Sequence, residues 1–291
     1  MLSYRHSYHA GNHGDVLKHL CQVLIINKLK SKDKGFCYFD THSGAGVYQL
    51  NSEEALKTKE FKHGIDRLTG HAAQNKAMSD YLSLVAAYKK FNQYPGSPEI
   101  AKSMLRPQDQ LILMEWHNQE ILNLKSNLGG KNIAIHHRDG YEGLLALTPP
   151  SMQRGMVLID PSYEVASEYQ QVVDTVISAH KRWNSAIYAI WYPLITDRQS
   201  SNASFESSDS KKGKSEAMLE SLNQHPFKNM LKTELRITDG SELGGMYGSG
   251  MLIINAPWQL DKQITESLQE LTPLMAQNDS ASFSVDWLIE E

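Results

Sequence analysis

Four carboxylates each follow an apolar stretch: Asp40 after FCYF, Glu115 after LILM, Asp139 after IAIHHR and Asp160 after GMVLI. Apolar stretches of this length, separated by helical patterns, predict neighbouring parallel strands. The carboxyl ends of parallel strands open on one edge of their sheet, where ligands of such sheets bind. The sequence therefore predicts that these four carboxylates lie together at a binding edge.

The first of these strands runs into a glycine-rich turn, THSGAG at residues 41–46. Glycines let the backbone approach a ligand closely and adopt positive φ. Glu115 is placed to accept from both hydroxyls of a ribose, and Asp139 with Gly140 is placed to meet an adenine edge. A dinucleotide fold needs G-x-G-x-x-G and an acid about 20 residues further on, and this glycine spacing differs. The pattern favours S-adenosylmethionine over a nicotinamide cofactor.

The fourth strand ends in Asp160-Pro161-Ser162-Tyr163, which resembles the Asp/Asn-Pro-Pro-aromatic signature of methyltransferases acting on adenine amines or glutamine side chains. An adenine amino nitrogen is a poor nucleophile because its lone pair is delocalised into the ring. The Asp160 carboxylate and the Pro161 carbonyl can each accept one N–H, which aims the lone pair at the methyl carbon. Tyr163 can stack on a base flipped out of its helix.

The start of the chain is basic although the whole protein carries a net charge of −4. Residues 1–34 contain six Lys or Arg and two Asp, together with several tyrosines and histidines. Such a segment suits phosphate contact and base stacking. The alternative is a solvated amphipathic helix that follows a polar arm.

These residues require a framework of alternating strands and helices. The spacing of apolar residues predicts a helix over 15–32, and later strands and helices alternate to the end of the chain. KTELRI and GSGMLIINAPW predict a closing antiparallel pair, and the Ser-rich residues 197–215 predict a loop. Residues 50–95 have a different, Lys- and Glu-rich helical pattern, which predicts a small helical insertion. The fold class is therefore α/β, with a mostly parallel sheet covered on both faces.

Composition excludes several classes of protein. The chain has 291 residues, 41% hydrophobic and 21% charged, which is typical of a soluble globular protein and not of a collagen or a disulfide-stapled module. No apolar stretch is long enough for a membrane helix, and the polar N-terminus is no secretory signal. Cys21 and Cys37 have no metal or redox spacing, and the histidines form no ligand spacing. The sequence predicts a metal-free cytoplasmic protein.

The segments LSYRHSYHAGNHGDVLKH, FDTHSGAGVY, YPGSP, DPSYE and GMYGSGMLIINAPW resemble the RlmJ family of 23S ribosomal RNA adenine-N6 methyltransferases, essentially from end to end. The resemblance implies a single Rossmann-like class I S-adenosylmethionine-dependent methyltransferase domain over residues 1–291. Its core would comprise residues 1–49 and 96–291, and residues 50–95 would form an inserted helical subdomain. The implied partner is 23S rRNA, protein-free or at an early stage of assembly, bound by a monomer.

The resemblance also implies roles for individual residues. Asp160 would be the catalytic residue that receives the hydrogen bond or proton of the amine and also lies at the cofactor, and Tyr4 would touch the RNA. Lys18 is a further candidate, for a phosphate contact, by our own inference. The implied cofactor contacts come from His19, His42, Ser97, Glu115, Asp139 and Gly140.

One residue departs from the family pattern, because Ser162 stands where the signature has a second proline. The two hydrogen-bond acceptors are retained, but φ at residue 162 is no longer fixed and Pro161 is freer. We therefore expect the change to affect the rate more than the reaction type. The reaction itself would be direct transfer that releases S-adenosylhomocysteine, with no covalent enzyme intermediate, since no cysteine lies in this motif.

Three alternatives compete with this interpretation. The Asp160 motif alone also fits methylation of DNA adenine or of a protein glutamine, and only the N-terminal segment favours ribosomal RNA. A non-catalytic RNA-binding assembly protein could retain the fold after the motif changed to Ser162, and Asp160 would then be dispensable. A dehydrogenase is disfavoured by the glycine spacing.

Overall fold

The computed structural model describes residues 4–196, 211–240 and 245–290. The strands are β1 (Cys37–Asp40), β2 (Val47–Gln49), β3 (Gln93–Pro95), β4 (Gln110–Glu115), β5 (Ile133–His137), β6 (Gly155–Ile159), β7 (Ile187–Thr196), β8 (Met230–Arg236), β9 (Gly245–Ile254) and β10 (Ser282–Ile289). The helices are α1 (His13–Lys30), α2 (Glu53–Thr58), α3 (Glu60–His63), α4 (Lys76–Lys89), α5 (Ser97–Met104), α6 (Asn118–Asn127), α7 (Gly140–Leu147), α8 (Ser167–Arg182), α9 (Lys214–Asn223) and α10 (Leu260–Met275). Short 3₁₀ turns cover His6–Tyr8 and Ile65–Leu68.

Eight strands form one sheet in the order β10-β8-β9-β7-β6-β1-β4-β5. The five neighbouring strands β7, β6, β1, β4 and β5 are parallel to one another, whereas β9 is antiparallel to both β7 and β8. The predicted α/β class and the antiparallel closing pair are therefore confirmed. The antiparallel β9, inserted beside the parallel strands, separates this sheet from an all-parallel dinucleotide-binding fold.

One strand was not predicted, and one predicted loop lies mostly outside the residues that the structure describes. Strand β10, which pairs antiparallel with β8 at the sheet edge, was not predicted. Most of the predicted Ser-rich loop over 197–215 lies outside the described residues, and its last two residues begin α9. None of the helices in the described ranges is long and apolar enough to cross a membrane.

The core lies on both faces of the sheet, because the central strands β1 and β6 are buried along their whole length. Apolar side chains of α1, α4, α5, α6 and α10 cover one face, and those of α7, α8 and α9 cover the other. Near-continuous apolar strands such as FCYF and GMVLI are what a sheet covered on both faces requires. The two-layer cover leaves the carboxyl ends of the strands as the accessible edge.

Helix α1 is capped by Asn12, whose side chain accepts a hydrogen bond from the Asp15 N–H at 2.9 Å and so satisfies one free donor of the first turn. The helix packs against α4, α5 and strand β9, and most of its residues are buried. The alternative of a solvated amphipathic helix is therefore wrong. Because α1 is buried on several sides, its polar residues Asp15, Lys18 and His19 need partners inside the protein.

Residues between β2 and β3, which pair with each other as a short antiparallel ribbon, form α2, α3, a 3₁₀ turn and α4. Met78, Tyr81 and Val85 of α4 are buried and join the same apolar cluster as α1. Asn27 of α1 also donates to Asp80 of α4 at 2.9 Å. These helices are thus packed onto the first helix of the chain, on the side of the N-terminal residues.

Candidate active site

The turn after β1 requires a glycine at residue 44. Gly44 has φ of +58°, and a Cβ there would lie 2.0 Å from the Tyr48 hydroxyl oxygen. Its N–H donates to the Glu115 carboxylate at 2.7 Å, and the turn is anchored to β4 by the Ser43 N–H, which donates to the Met114 carbonyl at 2.9 Å. The glycine turn and the end of β4 are therefore one hydrogen-bonded unit.

Glu115 is held at this edge by two backbone donors, one to each carboxylate oxygen. Besides Gly44, the N–H of His117 donates to it at 2.6 Å. Burial raises the pKa of the Glu115 carboxyl, and the two backbone donors oppose that shift. The next residue, Trp116, is 55% exposed and lines the same cleft. Sequence reasoning missed this aromatic residue, although its position directly after the strand-end acid was a visible signal.

Asp139 is the last residue of the connection between β5 and α7, and it is the N-cap of α7. Its carboxylate accepts from the N–H groups of Tyr141 at 2.9 Å and Glu142 at 3.0 Å, as a helix N-cap does. Gly140 packs so closely on the glycine turn that a Cβ would lie 2.0 Å from the Thr41 carbonyl oxygen. The pair therefore fixes the start of α7 against the turn that follows β1.

Two histidines face the cleft in neutral form. His19 is buried, its Nδ1 pairs with the Tyr94 hydroxyl at 2.7 Å, and its Nε2 has no hydrogen-bond partner in the described protein. Burial lowers the pKa of His19 to about 3 and that of His42 to about 4. His42 pairs through Nδ1 with the Thr41 hydroxyl at 2.7 Å, so each ring has one fixed nitrogen and one left for a ligand.

Asp40 differs from the other three strand-end acids, because it lies beneath the cleft and does not line it. Its carboxylate accepts from the hydroxyls of Ser97 at 2.6 Å and Tyr38 at 3.0 Å. Burial raises the pKa of Asp40 to about 6. The expectation that all four carboxylates line the edge is therefore wrong for Asp40, which anchors Ser97, the first residue of α5 and itself a cleft residue.

Asp160 is joined to the first helix by an ion pair with Lys18, whose ammonium also lies 2.8 Å from an oxygen of Asp15. Burial disfavours the charged form of Lys18, but the two carboxylates outweigh it and raise its pKa above the ordinary value. Lys18 is 4% exposed. The structure therefore does not support the predicted phosphate contact, because this ammonium is engaged by two protein carboxylates.

Tyr163, unlike Ser162, points away from the cleft. Tyr163 has φ of +50° and is buried, its hydroxyl donates to the Trp191 carbonyl at 2.9 Å, and its ring lies 4.4 Å from that of Tyr169. In this position Tyr163 braces the loop and is not available to stack on a base. Ser162 donates to Glu168 at 3.4 Å, a bond that ties the position of the missing proline to the start of α8.

The N-terminal arm, residues 4–12, closes one side of the cleft. Tyr4 pairs with His6 Nδ1 at 2.8 Å, and His6 Nε2 pairs with Asp15 at 2.9 Å. The Tyr4 ring stacks on His9 with 5.4 Å between centroids. The arm is thus connected through Asp15 to Lys18 and so to Asp160.

Together these residues surround a cleft of about 300 Å³, within the size range of small-molecule sites. The predicted catalytic, cofactor-binding and RNA-binding residues line it except Pro161 and Tyr163, and of the four strand-end carboxylates only Asp40 does not line it. Sequence reasoning missed Trp116, Tyr141, Val165, Glu168 and Gln171, whereas His6 was among the histidines of the basic N-terminal segment. No group of three or more His, Cys, Asp or Glu within the described ranges could hold a metal ion.

The sheet order with an inserted antiparallel strand, and a cleft at the carboxyl ends of its parallel strands, define a Rossmann-like methyltransferase. The profile of the family described as "Ribosomal RNA large subunit methyltransferase D, RlmJ" matches residues 33–289. The chain belongs to this family.

Relatives of known name match along their full length. The chain is 39% identical to "Ribosomal RNA large subunit methyltransferase J" of Escherichia coli K12 and 38% identical to the protein of that name from Haemophilus influenzae, with 100% of each chain covered. Its structure superposes on a crystal structure of a Legionella pneumophila protein with a TM-score of 0.82 at 31% identity, covering 96% of this chain and 98% of that one. The chain is therefore a methyltransferase of this family.

Proposed function

We propose that the protein transfers a methyl group from S-adenosylmethionine to N6 of an adenine in 23S rRNA. The observation that carries the proposal is the position of Asp160 at the end of β6, in the same cleft as the glycine turn and Glu115. The names of the relatives support ribosomal RNA as the substrate class. Adenine is supported by the two hydrogen-bond acceptors of the Asp160-Pro161 motif.

The cleft has the groups that a nucleoside cofactor requires. Glu115, held by two backbone donors, would accept from the ribose hydroxyls, and the start of α7 at Asp139 and Gly140 would meet the adenine edge. His19 offers a buried Nε2 that makes no hydrogen bond within the described protein, and Trp116 offers a half-exposed ring. S-adenosylmethionine, when bound, supplies the methyl group as an electrophile. The family and the fold imply this cofactor.

At the acceptor end, the protein has to orient an amine with low nucleophilicity. The Asp160 carboxylate and the Pro161 carbonyl would each accept one N–H of the adenine amine, leaving its lone pair directed away from the ring plane. Such orientation contributes several kcal/mol of barrier reduction. The proton released from the amine would pass to the Asp160 carboxylate or through it to solvent.

Lys18 positions the Asp160 carboxylate for this task. The ammonium remains charged, because its pKa is raised by Asp15 and Asp160, and it contacts one carboxylate oxygen. The other oxygen is left to accept from the substrate amine. Tyr4 and His6, which line the same cleft, would contact the RNA around the target base.

The decisive experiment is transfer of a radiolabelled methyl group to protein-free 23S rRNA from cells that lack this protein. We expect label that digests to N6-methyladenosine, and a loss of at least about a thousandfold in rate with Asp160→Ala. Cofactor affinity, measured by calorimetry, should change far less. Label in 16S rRNA at the same rate would contradict the proposed specificity.

Other acceptors give distinguishable results in the same assay. Preferential label in adenine-containing DNA or in a glutamine peptide would replace the proposed substrate. No label with any acceptor, together with normal cofactor binding, would favour the non-catalytic assembly role. If Ser162→Pro then restored methyl transfer, the flexibility of the motif would be the cause of the missing activity. The substrate assignment would then stand.

The remaining parts of the proposal concern the organisation of the protein. We propose a monomer that acts on rRNA before or early in assembly of the large subunit, in the cytoplasm. Residues 50–95 would form an inserted subdomain in a single methyltransferase domain over 1–291. The measured mass of the protein alone and with an rRNA fragment tests the monomer.

A further inference from the structure

The connection between β2 and β3 presents three lysines and a histidine to solvent beside the N-terminal arm. We propose that these residues, Lys57, Lys59, Lys62 and His63, named here the basic face, bind the phosphate backbone of the RNA substrate next to the target adenine. All four side chains are exposed. The inference rests on the proposed function for the identity of the RNA and adds the surface that holds it.

The basic face is cationic because most acids around it are already paired. Glu54 pairs with Arg5 at 3.0 Å, Glu60 with His9 at 2.9 Å, and Asp66 with Lys89 at 2.5 Å. In the described part of the chain, none of the three lysines has an ion-pair partner. Glu53, in the first turn of α2, is the exposed acid that remains nearby.

The backbone brings these cations close together in space. Helices α2 and α3 are separated by Lys59 alone, which has φ of +56°, so the chain turns sharply between two short helices. Lys57 lies in the last turn of α2, and Lys62 and His63 lie at the end of α3. Cations at helix C-termini are also favoured by the helix dipole, so this local structure tolerates them without protein carboxylates.

The basic face adjoins the arm that leads into the cleft. The Lys57 ammonium lies 5.9 Å from the centre of the Tyr8 ring, and the Thr58 hydroxyl donates to the Tyr8 carbonyl. Four residues before Tyr8, Tyr4 lines the cleft that contains Asp160. A strand whose target base enters the cleft would therefore pass over the arm and onto the basic face.

A polyanion is the partner that this charge pattern fits. The whole protein has a net charge of −4, so bulk charge opposes RNA binding and a local cationic surface has to supply the attraction. Lysine contacts to phosphates release condensed counterions, which gives affinity and a steep salt dependence without sequence information. Phosphate contacts position a substrate, and the cleft then selects the base.

The test compares two triple variants with equal loss of charge. The first is Lys57→Ala, Lys59→Ala and Lys62→Ala. The control removes Lys32, Lys34 and Lys131, which are exposed and precede β1 and β5, at the sheet edge opposite the cleft. Alanine at residue 59 keeps an L-residue at the same positive φ, so the backbone strain is unchanged. Lys62→Glu alone is the second variant, in case the triple variant folds poorly.

Affinity for a 23S rRNA fragment is measured by fluorescence anisotropy between 50 and 200 mM salt. We expect the basic-face variant to bind about 10- to 100-fold more weakly at low salt, and the slope of log affinity against log salt to fall by about 2. The control variant should change affinity less than about twofold. Equal losses in the two variants would overturn the proposal.

Binding and methyl transfer are measured separately, so the two proposals can fail independently. For the basic-face variant we expect KM for RNA to rise and kcat at saturating RNA to be retained, because no cleft residue is changed. Asp160→Ala should bind the fragment with wild-type affinity. If the protein methylates no RNA yet loses affinity only in the basic-face variant, the RNA surface stands and the reaction assignment fails.

Discussion

Asp15 is a buried carboxylate that links three parts of the candidate site. It accepts from the Gly11 N–H at 2.8 Å and pairs with His6 at 2.9 Å and with Lys18 at 2.8 Å. These partners lower its pKa well below the usual range despite burial, which acts in the opposite direction. Through Lys18, the arm and the Asp160 carboxylate share one network.

Replacement of Asp15 by Asn should therefore impair both stability and transfer. Lys18 would keep Asp160 as an ion-pair partner but lose the Asp15 carboxylate, and loss of a hydrogen bond between charged groups costs about 1.5 to 3 kcal/mol. We expect a loss of this size in urea unfolding and a fall in kcat of at least about tenfold, because Lys18 and the Asp160 carboxylate lose their fixed position. The exposed Asp33→Asn serves as control, and a kcat equal to that of the wild type would contradict the positioning role.

A second prediction concerns the buried His19 and the pH dependence of the protein's stability. Its pKa is lowered to about 3 by burial, below the value near 6.5 of an unfolded chain. The unfolded state therefore binds the proton more tightly, and stability from this residue is present above pH 6.5 and lost as the pH falls towards 3. Between pH 7 and pH 5 the loss amounts to about 2 kcal/mol.

Urea unfolding of the wild type and of His19→Gln at several pH values measures this contribution. The wild type should lose about 2 kcal/mol more than the variant over this interval. Parallel curves for the wild type and His19→Gln would show that His19 does not titrate in this way.

At the scale of elements, the site depends on how closely α7 approaches the turn after β1. A Cβ at residue 140 would lie 2.0 Å from the Thr41 carbonyl oxygen, and backbone cannot yield as a flexible side chain does. Gly140→Ala should therefore push α7 away from the turn, at a cost of about 1 to 3 kcal/mol. Because Asp139 caps α7, the proposed cofactor site would move with it, and calorimetry should show cofactor affinity reduced by about tenfold or more.

A matched variant separates this effect from the general cost of a methyl group. Gly129, before β5, has no atom within 4 Å of an added Cβ, so Gly129→Ala should leave stability and cofactor affinity nearly unchanged. If Gly140→Ala bound the cofactor as tightly as Gly129→Ala, the contact between α7 and the turn would not position the cofactor site.

Some strands could be predicted from the sequence alone, whereas one could not. Strands β1, β4 and β6 were predictable, because near-continuous apolar stretches ending in acids have few other interpretations. The edge strand β10 was missed, although Phe283, Val285 and Trp287 alternate with polar residues at the period of a strand. Only the pairing partner β8 makes this weak alternation decisive, and pairing is not visible in the sequence.

Side-chain partnerships were harder to predict than elements. The pairing of Lys18 with Asp160 joins positions 142 residues apart, so no local pattern indicated it, and a lysine in a basic segment was interpreted as a phosphate contact. Tyr163 belongs to the motif proposed to orient the amine, but φ of +50° turns it into the core. Strand ends follow from local composition, whereas side-chain directions depend on the loop and on tertiary packing.

On the scale of the whole molecule, the basic N-terminal segment is divided between two places. Tyr4 and His6 reach the cleft and Lys18 is buried beside it, whereas Lys32 and Lys34 are exposed after the far end of α1. An α-helix of 18 residues is about 27 Å long. The net positive charge of residues 1–34 therefore does not show on which part of the protein surface that charge lies.

The order of the strands bears on how the protein matures as it is synthesised. Helix α1, which carries Asp15 and Lys18, packs against β9, and β9 is made more than two hundred residues later. A nascent chain that lacks β9 cannot complete the packing of its first helix, although every residue that lines the cleft precedes β9 in the sequence. Contacts this distant in sequence form slowly, so we expect the enzyme to gain its activity only when its own translation is nearly finished.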